Sequence, residues 1–117
     1  MNNRKTGTIR EDKAALWLTK QGVKIIARNF RCRFGEIDLI IRHDGYLAFV
    51  EVKYRKSTGA GFPVEAVSFS KQKIICKVAD YYRITKGIPD DHPIRYDVIG
   101  VLDNEITWYQ NAFDHVF

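Results

Sequence analysis

Residues 35–53 read GEIDLIIRHDGYLAFVEVK. Two apolar runs flank Asp44-Gly45, and an Asp-Gly pair in that setting signals a two-residue hairpin turn. With Asp44 and Gly45 at the centre of the turn, opposed positions have numbers summing to 89. Asp38 then faces Glu51, and Glu36 faces Lys53. Residues two apart share a strand face, so these four side chains project from one side of the hairpin. Ile37, Leu39, Val50 and Val52 project from the other.

Opposed side chains in a hairpin start about 5 Å apart at Cβ. Two carboxylates at that separation repel by about 3 kcal/mol at an effective dielectric of about 20. A divalent cation bridging Asp38 and Glu51 would remove the repulsion, and an all-oxygen carboxylate site suits Mg²⁺ or Mn²⁺. Lys53 would sit beside that cation, where phosphate charge or an attacking water could use it. The plainer alternative is a surface ion pair, Glu36 with Lys53, next to a solvated mismatch. A bare D…ExK pattern is common by chance; its register across apolar strands lifts it above decoration.

Outward from the hairpin, REDKAALWLTKQG (10–22) reads as a helix of about three turns, with acids in its first turn and Gly22 as its stop. Ala14, Ala15 and Leu18 share one face, and Glu11 belongs to that face by spacing. An inward acid calls for a cation; a favourable charge at a helix N-terminus is the alternative. VKIIARNF reads as a short strand, and RCRFG turns the chain into the hairpin. KSTGAGFP is a polar loop. FSKQKIICKVADYYRITKG (69–87) reads as a second helix, with Ile74, Ile75, Val78 and Tyr82 at helical spacing and Gly87 as terminator. Lys71 bears the same relation to that apolar face as Glu11 does to the first helix. It points inward toward phosphate, or it snorkels. IRYDVIGVL and EITWY, joined by a DN turn, complete the order α-β-β-β-α-β-β. This pattern predicts an α/β sandwich on a mixed sheet, in a single domain spanning 1–117.

Composition sets limits. The chain has 117 residues, 45% hydrophobic and 28% charged, with 19 Lys and Arg against 14 acids and a net charge of +5. That is ordinary for a globular domain, with a basic bias that favours a polyanionic partner. Cys32 and Cys76 form no CxxC pair and suit a reducing compartment. His43, His92 and His115 show no metal-ligand spacing and read as surface or loop residues. No apolar run approaches membrane-spanning length and the N-terminus has no signal-like apolar region. The expectation is a cytoplasmic protein without a membrane partner.

GEIDLI, FVEVKYR, the following Gly-containing loop, SKQKI and RYDVI together resemble the YraN-type family of small bacterial proteins. That family is similar to the PD-(D/E)xK nuclease superfamily, whose restriction-endonuclease-like fold is also seen in archaeal Holliday-junction resolvases. The resemblance covers Gly7 to Phe113 and is most specific in GEIDLI…FVEVK. It implies a three-layer sandwich, a mixed sheet flanked by helices. It implies Asp38 and Glu51 as metal ligands with the Val52 carbonyl as a further one, Lys53 as the catalytic lysine, and Glu11 as a helix-borne acid near the metal. Glu36, Arg55 and Asp97 match further family positions. Ile37 stands where the superfamily's naming proline would be, and Arg10 where the family has a glycine.

The leading reading is a Mg²⁺- or Mn²⁺-dependent endonuclease hydrolysing DNA phosphodiesters, at branched or damaged DNA. Arg28, Arg31 and Arg33 of ARNFRCR, with Arg55 and Lys56 of KYRK and Lys71, would contact phosphates without reading sequence. The alternative is a non-catalytic nucleic-acid-binding protein with a nuclease-like fold. A third reading is an interaction protein whose partner docks on Trp108, Tyr109, Phe113 and Phe117. Those aromatics read more simply as core or as a homodimer contact.

Overall fold

Asp44 and Gly45 both adopt left-handed backbone conformations, at φ 52° and 81°. Those angles are the signature of a type I′ turn, whose twist matches that of the strands it joins. The turn fixes the register as the sequence predicts: His43 pairs with Tyr46, and the ladder runs back to Leu39 opposite Val50. The computed structural model describes residues 3–55 and 67–117, with side chains for 11–54 and 67–117. In chain order the elements are α1 (Asn3–Lys20), β1 (Lys24–Cys32), β2 (Gly35–His43), β3 (Tyr46–Arg55), α2 (Phe69–Thr85), β4 (Ile94–Leu102) and β5 (Glu105–Phe113). The order α-β-β-β-α-β-β matches the expectation.

The strands form one mixed sheet in sequence order, β1 to β5. Neighbours are antiparallel except β3 and β4, which run parallel and need the crossover that contains α2. Leu47 and Phe49 of β3 pack with Ile75, Cys76, Val78, Ala79 and Tyr82 of α2. Ala48 and Val50, the alternate positions, pack with Ala14, Ala15 and Leu18 of α1. The helices therefore cover opposite faces, and β3 is apolar on both. Each large side chain buried this way contributes about 1.5–3 kcal/mol.

Local chemistry sets the helix ends. Ser68 caps α2 by accepting the Lys71 N–H at 3.1 Å. Past α1, Gly22 is left-handed, and the Val23 N–H donates back to the Leu18 carbonyl at 3.1 Å, closing the helix.

Four expectations need correction. Helix α1 begins at Asn3, so Glu11 and Asp12 lie in its interior and the helix-terminus account of Glu11 fails. Strand β1 continues to Cys32, which pairs with Gly35, so the connecting turn is only Arg33-Phe34. Ile74 is half-exposed; Cys76 and Ala79 complete the buried face of α2. The fourth matters most. The β2–β3 ladder stops at Leu39 opposite Val50. Beyond Val50, β3 follows β4 as far as Arg55 opposite Leu102, while β2 follows β1 to its start. The two strands part, and Asp38 and Glu51 stand at the mouth of the fork rather than in a ladder. Ile37 also changes sides: it joins the α2-side core, whereas Leu39 and Ile41 join the α1-side core. Strict alternation breaks at Asp38, whose neighbour across β1, Asn29, is itself left-handed at φ 53°.

Candidate metal centre at the strand fork

Where β2 and β3 separate, backbone groups lose their ladder partners, and Asp38 fills one vacancy. Its Oδ2 accepts the Val52 N–H at 2.8 Å. This bond holds the Asp38 carboxylate in the gap between strands, where a second carboxylate meets it. Glu51 is buried and shares a side-chain hydrogen bond with Asp38. Two carboxyl groups can share such a bond only when one is protonated. Burial, then the Asp38 charge, pushes the Glu51 carboxyl up to about 7; Lys71 and Lys53 pull it partly back. Asp38 is raised as well, chiefly by burial, with the Val52 N–H opposing. Desolvation thus outweighs the mutual repulsion that the hairpin register alone suggests.

Two more acids converge on Asp38. Glu11 reaches it from α1 and Glu36 from β2; a carboxylate oxygen of each of the three lies within 4.8 Å of the others. Burial first, and the Asp38 charge second, lift the Glu11 carboxyl above its usual range, while a hydrogen bond from Asn29 lowers it. Glu36 is anchored by Arg31, whose Nε donates to Oε2 at 2.6 Å. Octahedral Mg²⁺ with bonds of 2.0–2.1 Å spaces its ligand oxygens about 3 to 4.2 Å apart. The separation of the three acids is close to that spacing. Glu51 borders this group through Asp38.

The cations fall out differently from the register argument. Lys53 is not held by Glu36; its Nζ lies 4.0 Å from Glu51 Oε1, two residues away on the same face of β3. Glu36 is taken by Arg31 because β2 stays on β1 there, with Arg31 directly opposite Glu36. Lys71, one turn inside α2, acts electrostatically on both Asp38 and Glu51. Arg28 pairs with Asp12 of α1, and Arg33 lies exposed over the Phe34 ring at 4.8 Å. Val52 faces the site with its N–H. The Arg55 side chain, Lys56 and the rest of the KSTGAGFP loop lie outside the described residues.

Asp97 gave little signal in the sequence. It is fully buried and accepts four hydrogen bonds: from Arg95 Nε and Nη2 at 3.2 and 2.8 Å, from Trp108 Nε1 at 2.9 Å, and from the Asn111 N–H at 2.9 Å. His43 Nδ1 lies 3.2 Å from Arg95 Nη1, and the His43 ring packs on Trp108 at 4.7 Å. His43 is therefore part of a polar network rather than a bare surface residue, while His115, in the irregular chain past β5 as expected, bonds the Tyr96 hydroxyl at 2.6 Å. Trp108 is committed to this network and to an edge-on contact with Trp17. Tyr109 and Phe113 pack against the α2-side core, and of the four aromatics only Phe117 is fully exposed. The cue for Asp97 was an acid inside an otherwise apolar strand, IRYDVIGVL.

The model of Uncharacterised protein family UPF0102 matches residues 10–101. The chain belongs to the UPF0102 family. It is similar to a UPF0102 protein of Lachnoclostridium phytofermentans, 47% identical over 114 residues, covering 97% of each chain. A UPF0102 protein of Persephonella marina is 41% identical over 104 residues, 89% of each chain. One from Legionella pneumophila is 40% identical over 110 residues, 92% of this chain and 93% of the relative. The UPF0102 match spans Glu11, Glu36, Asp38, Glu51, Lys53, Lys71 and Asp97. No helix among the described residues is long and apolar enough to cross a membrane.

Proposed function

We propose that this UPF0102 protein is a divalent-cation-dependent endonuclease that hydrolyses DNA phosphodiesters. One observation carries the reading: Asp38 is ringed by Glu11, Glu36 and Glu51, drawn from α1, β2 and β3. Gathering that much like charge in a partly buried fork costs stability, and the Val52 and Arg31 contacts offset only part of it. Such convergence marks functional sites more often than structural ones.

Glu11, Glu36 and Asp38 would hold Mg²⁺ or Mn²⁺, with Glu51 beside them. The cation would supply neutralisation of phosphate charge and acidify the attacking water. Lys53 reaches the same mouth from β3 and holds a positive charge where charge develops on the phosphoryl oxygens. Lys71 reaches it from α2 and attracts the phosphate into place. Asp38, fixed by the Val52 N–H, keeps its free oxygen toward the other acids. Arg31 holds Glu36 in position and is thereby less free to contact DNA than Arg33. The protein's basic bias suits a polyanion.

The test is incubation of the pure chain with linear, single-stranded, flap and four-way-junction DNAs in Mn²⁺ or Mg²⁺. Cleavage that disappears in Asp38→Asn supports the reading. Salt-sensitive binding of every DNA without cleavage of any refutes it and leaves the nucleic-acid-binding alternative.

A further inference from the structure

One face of α2 is exposed and chemically regular. Phe69, Lys73, Lys77 and Tyr81 recur every four residues, the spacing that stacks side chains in one ridge. All four are exposed, Phe69 at 63% and Tyr81 at 37%. Lys73 Nζ lies 5.8 Å from the Phe69 ring centre. Helical rise places the two aromatic ends about 18 Å apart. At the Tyr81 end a second element adds a ring. Phe34, 39% exposed in the β1–β2 turn, meets Tyr81 edge-on at 6.2 Å, and Phe30 lies 6.3 Å from Tyr81. Gly35 allows this approach: a Cβ there would lie 2.7 Å from Ile74 Cγ2, and its φ of 149° disfavours any side chain. The turn is pressed onto the helix so that Phe34 and Tyr81 form a common rim.

Within α2 the basic residues Lys71, Lys73, Lys77 and Arg83 face a single acid, Asp80, which is itself paired with Arg83 and His115. The ridge is therefore aromatic and positive without acidic relief. Alternating rings and cations suit a strand whose bases are free to stack and whose backbone is anionic. A double helix hides its base faces and could use only the lysines.

We infer that the α2 ridge and the Phe34–Tyr81 rim bind single-stranded DNA leading away from the carboxylate site. This rests on the proposed function for its choice of DNA and deepens it, naming a substrate with an unpaired arm. The direction of the strand follows from the helix. Lys71 lies at the end of α2 whose charge acts on Asp38 and Glu51, Ile74 packs over Gly35 one turn further, and Tyr81 stands ten residues from Lys71. A strand entering at the carboxylates would pass Lys73 and Lys77 and lay a base on the rim. Arg33, resting on Phe34 in the free protein, would give up the ring to the base and turn to a phosphate. An exposed cation–ring contact is weaker than base stacking.

Fluorescence anisotropy of a labelled oligothymidine with the full chain in EDTA separates binding from cleavage. The joint variant Phe34→Ala, Tyr81→Ala is expected to bind at least tenfold more weakly, and Tyr81→Trp to bind like the parent. The joint variant Lys73→Gln, Lys77→Gln, at exposed positions, should flatten the salt slope by about 1.4, or 0.7 for each lost phosphate contact. Blunt duplex should bind the ring variant and the parent alike. Unchanged oligothymidine affinity in both joint variants overturns the inference. So does loss of binding to phosphatidylserine vesicles, with DNA binding kept, which would make the ridge a membrane contact. A chain that binds oligothymidine through the ridge but cuts no DNA sinks the nuclease reading and sustains this one. Full-rate cleavage of flaps by a ring variant whose oligothymidine binding is unimpaired does the reverse.

Discussion

Glu51 offers the sharpest test of the fork, because its ionisation is tied to its position. Its carboxyl rises from an ordinary 4.5 to about 7, first through burial and second through Asp38. A raised acid favours the protonated folded state. Its contribution is fully present below the unfolded pKa of about 4.5 and is lost as pH climbs through about 7. At 1.36 kcal/mol per pKa unit the loss is roughly 3 kcal/mol. Glu51→Gln keeps the shape and a hydrogen-bonding group without the charge. In EDTA the variant should match the parent near pH 4.5 and exceed it by roughly 3 kcal/mol at pH 8.5. For a domain of this size that is a melting-temperature gap on the order of 10 °C. Asp38 and Glu11 also titrate, but both proteins carry them, so the difference between the two curves isolates most of the Glu51 effect. Thermal melts across pH in EDTA measure it. If the two curves stay parallel from pH 4.5 to 8.5, Glu51 is not buried against Asp38 and the reasoning fails.

Saturating Mn²⁺, at 100 times its Kd, should stabilise the parent by about 2.7 kcal/mol, and Asp38→Asn should abolish this; calorimetric melts with and without Mn²⁺ decide it. Lys53→Ala should leave Mn²⁺ and DNA binding nearly intact while slowing cleavage at least about a hundredfold; single-turnover assays would contradict this if the rate were unchanged. Asp97→Ala leaves Arg95 charged and buried without its partner and should cost about 3–5 kcal/mol, measured by urea denaturation; a loss under 1 kcal/mol would show the network to be dispensable.

The hairpin was legible because its determinants are local: Asp44-Gly45 sets both turn type and register. Both helices were legible from periodicity and their Gly stops. The start of α1 was not, because the acids at Glu11 and Asp12 mimic a first turn that lies eight residues upstream. The four-way opposition of Glu36, Asp38, Glu51 and Lys53 failed for a different reason. A hairpin sum counts only partners within the hairpin, whereas β3 beyond Val50 is claimed by β4, a strand from the far end of the sequence. For the same reason the pairing of Arg31 with Glu36, its neighbour across β1 and β2, was not foreseen. The candidate acids nevertheless come together, because the fork still leaves Asp38 and Glu51 within reach of one another. Asp97 matched a family position, but its role was not legible because its partners, Arg95, Trp108 and the Asn111 N–H, meet only once β5 folds onto β4.

The parting of β2 and β3 also bears on the order of assembly. Pairs in the β2–β3 ladder are 3 to 11 residues apart, while every β3–β4 pair is 47 apart. Short-range pairing closes first and long-range pairing pays its loop entropy later. Until β4 arrives, nothing structural stops the hairpin from zipping onward past Leu39 and Val50. The next pair in that zipper sets Asp38 squarely against Glu51, an acid–acid pair that disfavours the step. The carboxylates thus act as a kinetic stop on over-zipping and keep the outer half of β3 available for its late partner. Refolding followed by pulse-labelled hydrogen exchange would show this as slower β4 protection in Glu51→Gln than in the parent; equal rates would dismiss the stop.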